Sequence, residues 1–281
     1  MRGKTVVMTG ATSGIGEVAA VRLAAMGARL VIVARDRARG RATLAKLDAA
    51  APGLGHAAHY ADLSRLAEVK RVGAEIAAAE PRIDVLVNNA GAIFGRRAVT
   101  ADGLERTFAL NHMSYVVLTQ ALTERLIASA PARIVNTASN AHRNGRLDFA
   151  DLQLAKSYSP SVAYGTSKLA NILFTRELAR RLAPHRVTAN SFTPGFVATR
   201  FGNQAGGLAA IYLRVAKLFA GTQQQGAETL IWLASAPEAA AMTGEFFQRC
   251  QRGTLTADAQ DDVLAHRLWD VSEEIALKAS A

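Results

Sequence analysis

A tyrosine and a lysine four residues apart, Tyr164 and Lys168, are the side chains of this sequence best suited to acid–base chemistry. On a helix, residues at this spacing lie one turn apart on a single face. A phenol with an ordinary pKa of about 10 is a poor acid–base catalyst at neutral pH. A nearby ammonium group favours the phenolate and lowers that pKa toward the working range. The spacing therefore indicates a tyrosine that gives or takes a proton, although a lysine with its amine in water produces the same pattern.

The elements that must position this pair alternate between apolar strand-like runs and helical patterns. Strands are predicted at Lys4–Thr9, Arg29–Ala34, His56–Tyr60, Ile83–Asn88, Arg133–Ala138, Val187–Thr193 and Glu245–Gln248. Helices are predicted near Gly14–Met26, Ala38–Ala50, Arg65–Ala79, Asn111–Ala130, Ala163–Leu182 and Gln223–Ser235. Continuous apolar strands that alternate with helices predict a parallel sheet covered on both faces. The predicted fold class is therefore α/β, as one doubly wound domain over residues 1–281.

A glycine-rich turn directly follows the first predicted strand and opens the first predicted helix. Glycines in such a turn let the backbone approach a pyrophosphate at the helix N-terminus. The spacing is Gly-x-x-x-Gly-x-Gly, and an ordinary turn can carry the same glycines. Its position in a strand–helix–strand unit predicts a dinucleotide-binding loop instead. The residues assigned to this loop are Gly10, Thr12, Ser13, Gly14, Ile15 and Gly16.

The end of the second predicted strand indicates which dinucleotide binds. An acidic residue at this point binds the ribose 2′-hydroxyl of NAD, whereas an arginine suits the 2′-phosphate of NADP. Ala34 ends the strand and Arg35 follows it, and a guanidinium binds phosphate through paired hydrogen bonds. We therefore predict NADP(H) in preference to NAD(H), with Arg35 on the phosphate. Asp36 caps the next helix or, if the strand ends two residues later, binds the ribose.

Two further strand ends carry residues that suit a nucleotide. Asp62 and Leu63 follow the third strand, where Asp62 would meet the adenine edge or, equally well, cap the next helix. Asn89, Ala90 and Gly91 close the fourth strand with small side chains, which suits a backbone lying against a ribose. In an open α/β sheet, ligands bind beyond the carboxyl ends of the strands. These residues are therefore assigned to the cofactor site.

The motifs together resemble the short-chain dehydrogenases/reductases, from about Lys4 to Phe247. The features that carry the resemblance occur in order: the glycine spacing, Asn88-Asn89-Ala90-Gly91, Asn111, Ser139, the Tyr164/Lys168 pair and Pro194-Gly195. Four segments resemble the retinol-dehydrogenase-like branch of the family: Ser139-Asn140-Ala141-His142, Phe149-Ala150-Asp151-Leu152, Ser167–Phe174 and Arg267–Glu274. The resemblance implies a Rossmann-type fold with seven mainly parallel strands in the order 3-2-1-4-5-6-7, in which residues 1–130 form the cofactor half.

The same resemblance implies roles for four catalytic residues. Tyr164 would protonate a carbonyl oxygen, or remove the hydroxyl proton in the reverse direction. Lys168 would lower the Tyr164 pKa and hold the nicotinamide ribose, and Ser139 would orient the substrate oxygen. Asn111 would anchor a water that links Lys168 to solvent. Tyr164 and Lys168 would also contact the cofactor, whose nicotinamide would be lined by Pro194, Gly195, Val197 and Thr199.

The activity that the resemblance implies is NADP(H)-dependent interconversion of a carbonyl and an alcohol on a medium-to-large lipophilic substrate. The alternative is a redox sensor that binds the cofactor without turnover, although such proteins commonly lose the tyrosine or the lysine that this chain keeps. Substrate choice is expected to depend on loops at residues 140–159 and 201–221. An apolar stripe at residues 208–220 has helical spacing and fits a substrate lid, core or a membrane-contact surface. His142 is expected near the pocket mouth.

The composition argues against several other classes of protein. Half of the 281 residues are hydrophobic and a fifth are charged, as in globular proteins. The net charge of +10 comes from dispersed arginines without a DNA-binding motif, so we expect no nucleic-acid partner. No run reaches about 18 apolar residues, which predicts no membrane span. Cys250 is the single cysteine and is not part of a metal-binding motif, so we expect no metal site. A single cysteine also allows no internal disulfide, so we expect a cytoplasmic protein.

The remaining expectations concern partners and the end of the chain. The partner is a small carbonyl or alcohol compound. The long helices that begin near Asn111 and Ala163 suit pairing between subunits, as in much of the family, which would give a homodimer or homotetramer. Residues 254–281 are predicted to be a C-terminal extension that contains a helix.

Overall fold

The first strand, β1, lies in the interior of a sheet built mainly from parallel strands. The computed structural model describes residues 1–195 and 222–279. Within these ranges, eight strands follow the order β3-β2-β1-β4-β5-β6-β7-β8, and only β7 and β8 are antiparallel. They are β1 (Thr5–Thr9), β2 (Arg29–Ala34), β3 (Ala57–Tyr60), β4 (Val85–Asn88), β5 (Ala132–Thr137), β6 (Val187–Thr193), β7 (Phe246–Gln248) and β8 (Gln251–Arg252). This order confirms the predicted doubly wound α/β fold and adds one strand to the predicted seven.

Helices cover both faces of the sheet. Those in the described ranges are α1 (Gly14–Ala25), α2 (Arg37–Ala50), α3 (Leu66–Ala79), α4 (Arg106–Phe108), α5 (Ser114–Ala128), α6 (Pro160–Leu182), α7 (Gln223–Ser235) and α8 (Asp262–Lys278). Successive side chains of a strand point to opposite faces. Met8 of β1 therefore belongs to the core cluster that contains Leu23 of α1, whereas Val7 belongs to the cluster that contains Leu118 of α5. Each such fully buried aliphatic side chain contributes about 1.5–3 kcal/mol to folding.

The segment that carries Asn111 is a helix in three parts. The buried carboxylate of Glu105 accepts the backbone N–H groups of Thr107 (2.8 Å) and Phe108 (2.9 Å), which starts α4. A π-helical turn, Ala109–Met113, then joins α4 to α5. Such turns widen a helix locally and often occur at functional sites. The helix therefore begins before Asn111, where the sequence pattern had placed its start, because Glu105 caps it earlier.

Strand β8 forms a hairpin with β7 that was not predicted. The two turn residues, Arg249 and Cys250, have φ values of 51° and 57°. Two-residue hairpin turns with positive φ strongly favour Asn and Gly, so neither residue type signals a turn here. Both residues of β8 are also exposed and lack an apolar pattern. The sequence therefore carries no signal for this strand.

Helix α6 is buried along nearly all of its length by other elements of the same chain. Helix α8 covers one side of it, where the Trp269 ring stacks on the Phe174 ring with centroids 5.5 Å apart. Next to this stack, the Arg181 guanidinium lies 4.3 Å from the centroid of the Trp269 ring. The face of α6 that contains Phe174 is thus occupied by α8. Pairing of α6 between subunits, which the resemblance suggested, is not available through this face.

Some predicted features lie outside the described residues. These are Val197, Thr199, the loop at residues 201–221 and its apolar stripe at 208–220. Among the helices in residues 1–195 and 222–279, none combines the length and the apolar character needed to cross a bilayer.

Candidate active site

Three of the predicted catalytic side chains meet beyond the carboxyl end of β5. Ser139 follows β5 in extended backbone, and its side chain lies close enough to Tyr164 on α6 to lower the pKa of that phenol. Lys168 lies one turn further along α6, with its Nζ atom 5.5 Å from the centroid of the Tyr164 ring. The Lys168 amine donates a hydrogen bond to the Thr137 carbonyl at 2.9 Å, at the last residue of β5. The strand end and the helix therefore fix the three groups relative to one another.

Burial dominates the protonation of this pair in the protein. Burial raises the pKa of Tyr164, and the hydrogen bond with Ser139 offsets only part of that rise. Burial also lowers the pKa of Lys168 to about 7. In this structure, the Tyr164 pKa is therefore raised by burial and not lowered as the spacing to Lys168 predicted. Tyr164 is protonated at neutral pH, which is the form that donates a proton to a carbonyl oxygen.

Asn111 lies beside Lys168, but its polar groups have protein partners. Its side-chain amide exchanges two hydrogen bonds with the backbone of Ala92 (2.9 and 3.0 Å) and donates to the Ser167 hydroxyl at 3.1 Å. Its backbone carbonyl accepts a hydrogen bond from the Asn171 amide at 2.9 Å. The structure thus shows Asn111 fixing the loop after β4 and supporting α6.

The glycine loop has the geometry of a phosphate-binding turn. Gly10 and Gly14 have φ values of 68° and 58°, which favour glycine. A Cβ on Gly16 would overlap the Gly10 carbonyl, so the first turn of α1 packs directly against the loop. Ser13 is the N-cap residue of α1, and its side chain caps no backbone N–H group. The N–H groups of the first helical turn have no partners within a helix and suit an anion. Thr12 and Ile15 complete the predicted set on this loop.

The end of β2 is followed by arginines, and the one acidic residue among them, Asp36, caps the next helix. The Asp36 carboxylate accepts the backbone N–H of Arg39 at 2.8 Å as the N-cap of α2, which confirms the capping alternative. The Arg39 guanidinium donates to the Thr12 carbonyl of the glycine loop at 3.1 Å. Arg35 is exposed, and its charge acts on Asp62 across the same edge. Positive charge therefore surrounds the place where β2 ends.

Asp62 does not cap the helix that follows it. Its carboxylate accepts hydrogen bonds from the backbone (3.0 Å) and the hydroxyl (2.8 Å) of Ser64, while α3 begins after Arg65. Burial raises the pKa of Asp62, but the Ser64 hydrogen bonds and the charge of Arg35 together hold it below its ordinary value. Of the two alternatives for Asp62, the helix cap was wrong. Leu63 beside it is buried.

The residues after β4 are locked to the glycine loop. The Thr9 hydroxyl accepts the backbone N–H groups of Asn89 (2.9 Å) and Ala90 (3.0 Å). The Asn89 amide donates to the Gly10 carbonyl at 3.1 Å. A Cβ on Gly91 would lie 3.6 Å from the Lys168 amine, so this backbone leads from the glycine loop to the catalytic pair. Pro194 and Gly195 follow β6 at the same edge of the sheet.

The family is decided by a match over most of the chain, since a family model described as short chain dehydrogenase covers residues 4–206. The chain belongs to the short-chain dehydrogenase family. It is retinol-dehydrogenase-like, with 39% identity to retinol dehydrogenase 14 of Homo sapiens over 97% of this chain and 86% of that protein. It is 41% identical to DnrU of Streptomyces sp. (strain C5), a candidate daunorubicin C-13 ketoreductase, over 96% of this chain and 91% of that protein.

A solved structure supports the fold assignment within this family. A short chain dehydrogenase from Burkholderia cenocepacia J2315 in complex with NADP has a TM-score of 0.67 to this chain at 29% identity. The likeness covers 87% of this chain and 95% of that chain. Members of the family are oxidoreductases that act on alcohol and carbonyl groups, and they use nicotinamide cofactors.

His142 is buried behind Ser139 and does not lie at a pocket mouth. It is 1% exposed, and its ring packs edge-on against Phe246 with centroids 5.5 Å apart. Its Nδ1 atom donates to the Ser139 carbonyl at 2.8 Å, because a carbonyl can only accept. Burial lowers the pKa of His142, so the ring is neutral at physiological pH. His142 therefore supports the Ser139 backbone.

A second buried histidine, His112, was not predicted to have a role. It has no exposed surface and contacts Asn171 of α6 and Ser272 of α8 through its two ring nitrogens. The sequence signal for these residues is positional only. His112 follows Asn111 directly, and Asn171 lies three residues after Lys168 on the same helix.

Proposed function

We propose that this protein is an NADP(H)-dependent oxidoreductase that interconverts a carbonyl and an alcohol on a medium-to-large lipophilic substrate. The observation that carries the proposal is the grouping of Ser139, Tyr164 and Lys168, in which the Ser139 side chain acts on Tyr164 and the Lys168 amine lies 5.5 Å from the centroid of the Tyr164 ring. This arrangement lies beyond the carboxyl end of β5, where an open α/β sheet binds its ligands.

Each of the three groups has a role that its surroundings support. Hydride chemistry belongs to the nicotinamide cofactor, and the protein supplies placement and a proton. Tyr164 gives its proton to the carbonyl oxygen in reduction, because burial keeps it protonated at neutral pH. The Ser139 hydroxyl, which lies close to Tyr164, binds the same substrate oxygen and orients it. Lys168, with a pKa of about 7, would hold the nicotinamide ribose, and its ammonium form would stabilise the phenolate that Tyr164 becomes when it gives up its proton. Asn111 fixes the backbone beside them.

The cofactor assignment rests on the surroundings of β2 and the glycine loop. Arg35 and Arg39 place two guanidinium groups at this edge, and a 2′-phosphate suits them. Asp36, the acid that would select NAD, is engaged as the cap of α2. A family member crystallised with NADP supports the same choice. The other residues assigned to cofactor binding are Gly10, Thr12, Ser13, Gly14, Ile15, Gly16, Asp62, Leu63, Asn89, Ala90, Gly91, Tyr164, Lys168, Pro194, Gly195, Val197 and Thr199.

The substrate class rests on the relatives. One is named as a retinol dehydrogenase and another as a candidate ketoreductase for C-13 of daunorubicin. Retinol is a lipophilic alcohol and daunorubicin is a bulky polycyclic ketone, so both names favour a large substrate with an apolar body.

The experiment that tests the proposal measures NADPH and NADH oxidation with a panel of lipophilic aldehydes and ketones. The wild-type protein is expected to prefer NADPH. Tyr164→Phe is expected to lower kcat by at least about a hundredfold, since a positioned proton donor contributes roughly 10²–10⁴-fold. Binding of NADPH to Tyr164→Phe, followed by fluorescence, is expected to persist and shows that the variant is folded. Unchanged turnover in Tyr164→Phe would reject the mechanism.

A further inference from the structure

A chain of buried polar side chains connects the catalytic lysine to helix α8. The Lys168 amine donates to the Thr137 carbonyl at 2.9 Å. The Asn171 amide donates to that same carbonyl at 3.2 Å and to the Asn111 carbonyl at 2.9 Å. Two donors from α6 thus converge on the carbonyl that ends β5. The position of the Asn171 amide therefore decides how much of this acceptor is left for Lys168.

His112 fixes the orientation of the Asn171 amide. Because the Asn171 nitrogen is the donor to two carbonyls, its Oδ1 atom is the acceptor that faces His112 Nδ1 at 3.2 Å. Nδ1 therefore carries the hydrogen, and Nε2 of the neutral ring is an acceptor. The Ser272 hydroxyl lies 3.1 Å from Nε2 and donates to it. Every polar atom of the His112 ring is thus partnered, and the network has one hydrogen-bond pattern.

The network remains neutral at physiological pH. His112 has no exposed surface, and burial lowers the pKa of its ring to about 4. The positive charge of Lys168 acts in the same direction. The ring also packs against Phe108 and Phe174, with centroids 5.0 and 6.0 Å apart. The ring therefore holds its place by packing and its tautomer by hydrogen bonds.

We propose that His112 and Asn171 are positioning residues for Lys168, and that Ser272 of α8 holds them in place. The inference rests on the proposed function, in which Lys168 is the catalytic lysine. Because the Asn171 amide also donates to the Thr137 carbonyl, that oxygen forms a weaker hydrogen bond with the Lys168 amine than it would alone. Without this sharing, the carbonyl stabilises the ammonium form more strongly and draws the amine toward β5. The network thus maintains both the place and the charge of the amine. Ser272 lies beyond residues 4–206, the part that the family model covers.

The titratable groups that face Lys168 come from three elements of the described chain. They are Tyr164 on α6, Tyr115 on α5 and His112 in the π-helical turn, and the two tyrosine ring centroids lie 5.5 and 5.7 Å from the Lys168 amine. Burial raises the pKa of both tyrosines, and the Tyr115 hydroxyl donates to the Ala90 carbonyl at 2.9 Å. Burial lowers the pKa of Lys168 itself. All three neighbours are uncharged at neutral pH, so a variant that shifts the Lys168 titration reports on hydrogen bonding.

Three variants separate positioning from stability. His112→Phe removes both ring nitrogens and keeps an aromatic ring against Phe174. His112→Gln retains one donor and one acceptor on the same side of the helix. Thr229→Val is the matched control, because it removes a buried helix hydroxyl outside the network, which lies on α7 and accepts the backbone N–H of Cys250 at 3.1 Å.

Two measurements on the full-length protein provide the readouts. The first is NMR titration of ¹³C-labelled lysines, with the Lys168 signal assigned by Lys168→Arg, and it needs no turnover. The second is the pH profile of kcat for NADPH-dependent reduction. His112→Phe is expected to raise the Lys168 titration midpoint by about half a unit or more, since one neutral hydrogen bond is worth about a unit at most. It is also expected to lower kcat about three- to tenfold, with the KM for NADPH within about twofold of the wild type.

The controls decide between the outcomes. His112→Gln is expected to restore most of the titration and of kcat, whereas Thr229→Val loses stability and changes neither. An unchanged Lys168 titration in His112→Phe, or an equal shift in Thr229→Val, overturns the inference. If His112→Phe does not fold, Ser272→Ala takes its place, with a smaller shift in the same direction expected and no shift overturning the inference. A wild-type protein that reduces no carbonyl rejects the proposed function, while the NMR titration still tests the network.

Discussion

Asp36 and Arg39 are joined at the start of α2, where the Asp36 carboxylate accepts the backbone N–H of Arg39 at 2.8 Å. This hydrogen bond engages the acid nearest the end of β2. It also directs the Arg39 guanidinium back to the glycine loop, where it donates to the Thr12 carbonyl at 3.1 Å. Together with exposed Arg35, the Arg39 guanidinium places positive charge at this edge of the sheet.

Replacing both Arg35 and Arg39 by alanine is expected to abolish the preference for NADPH. The kcat/KM for NADPH should fall by about 10²- to 10⁴-fold, because two charge-assisted hydrogen bonds of about 1.5–3 kcal/mol each are lost. The kcat/KM for NADH should stay within about threefold. Arg41→Ala is the control for lost positive charge, since Arg41 is also exposed on α2, and it removes one charge where the double variant removes two. Steady-state kinetics with both cofactors measure this, and a retained NADPH preference would exclude the two arginines as its source.

Replacing Gly16 by alanine is expected to prevent cofactor binding. The added Cβ would overlap the Gly10 carbonyl and push the glycine loop away from α1. The Kd for NADPH, measured by calorimetry, should rise at least about tenfold. Gly73→Ala is the control: its Cβ would meet the Ala121 Cβ at 2.6 Å between α3 and α5, away from the loop. This control should lose about 1–3 kcal/mol of stability through overpacking and still bind NADPH normally. Equal losses of binding in both variants would contradict the loop assignment.

The hairpin between β7 and β8 should become more stable with residues that its turn favours. Arg249 and Cys250 both have positive φ, which costs an L-residue other than glycine about 1–2 kcal/mol. The double substitution Arg249→Asn with Cys250→Gly is expected to raise the free energy of unfolding by about 1 kcal/mol. Urea unfolding at neutral pH measures it. Cys250→Ala keeps the strained backbone and should bring no gain, so a gain in that variant would point to the thiol instead.

The stability contributed by Glu177 should depend on pH. Burial raises the pKa of Glu177, but hydrogen bonds from Arg180, Arg181 and His266 outweigh it and hold the pKa at about 2. The folded pKa lies below the ordinary value of 4.5, so the contribution is complete above pH 4.5 and is lost as the pH falls toward 2. Glu177→Gln is expected to cost about 1–2 kcal/mol at pH 7, less than full linkage because solvent screens the exposed arginine partners.

Urea unfolding of Glu177→Gln and the wild type at pH 7, 5, 4 and 3 follows this change. The difference between the two proteins should shrink below pH 4.5 and approach zero near pH 2. Glu274→Gln serves as the control, because Glu274 forms an exposed pair with Lys278 on α8 and should show little effect at any pH. A difference that stays constant across the range would refute the linkage.

The sheet and the close packing of the glycine loop could be predicted because their signals are local. Runs such as Val6–Met8 and Leu30–Val33 are apolar without interruption, as parallel strands buried on both faces require. The glycines of the loop are needed for close packing, which the Gly10–Gly16 approach shows. The Ser139, Tyr164 and Lys168 cluster followed from the same logic, since strand ends and one helix face bring these residues together.

What could not be predicted depends on contacts between distant parts of the chain. The start of the Asn111 helix is set by Glu105, whose carboxylate acts as a cap only because it is buried in this fold. Asp62 binds Ser64 instead of capping α3. The His112 network joins residues 160 positions apart, from the π-helical turn to Ser272. The direction of the Tyr164 pKa shift was also predicted wrongly. That direction depends on burial, and spacing along a helix carries no information about burial.

The covering of α6 by α8 has a consequence for synthesis of the protein on the ribosome. The helix that carries Tyr164 and Lys168 exposes Phe174 and its neighbours until residues 262–278 have emerged and packed against them. During translation, a nascent chain whose first half has folded is therefore expected still to present an apolar helix face to solvent. Chaperones that recognise apolar segments can bind the chain during this interval. Substitutions that weaken the packing of α8 should therefore lower the yield of folded protein more than the specific activity of the folded molecules.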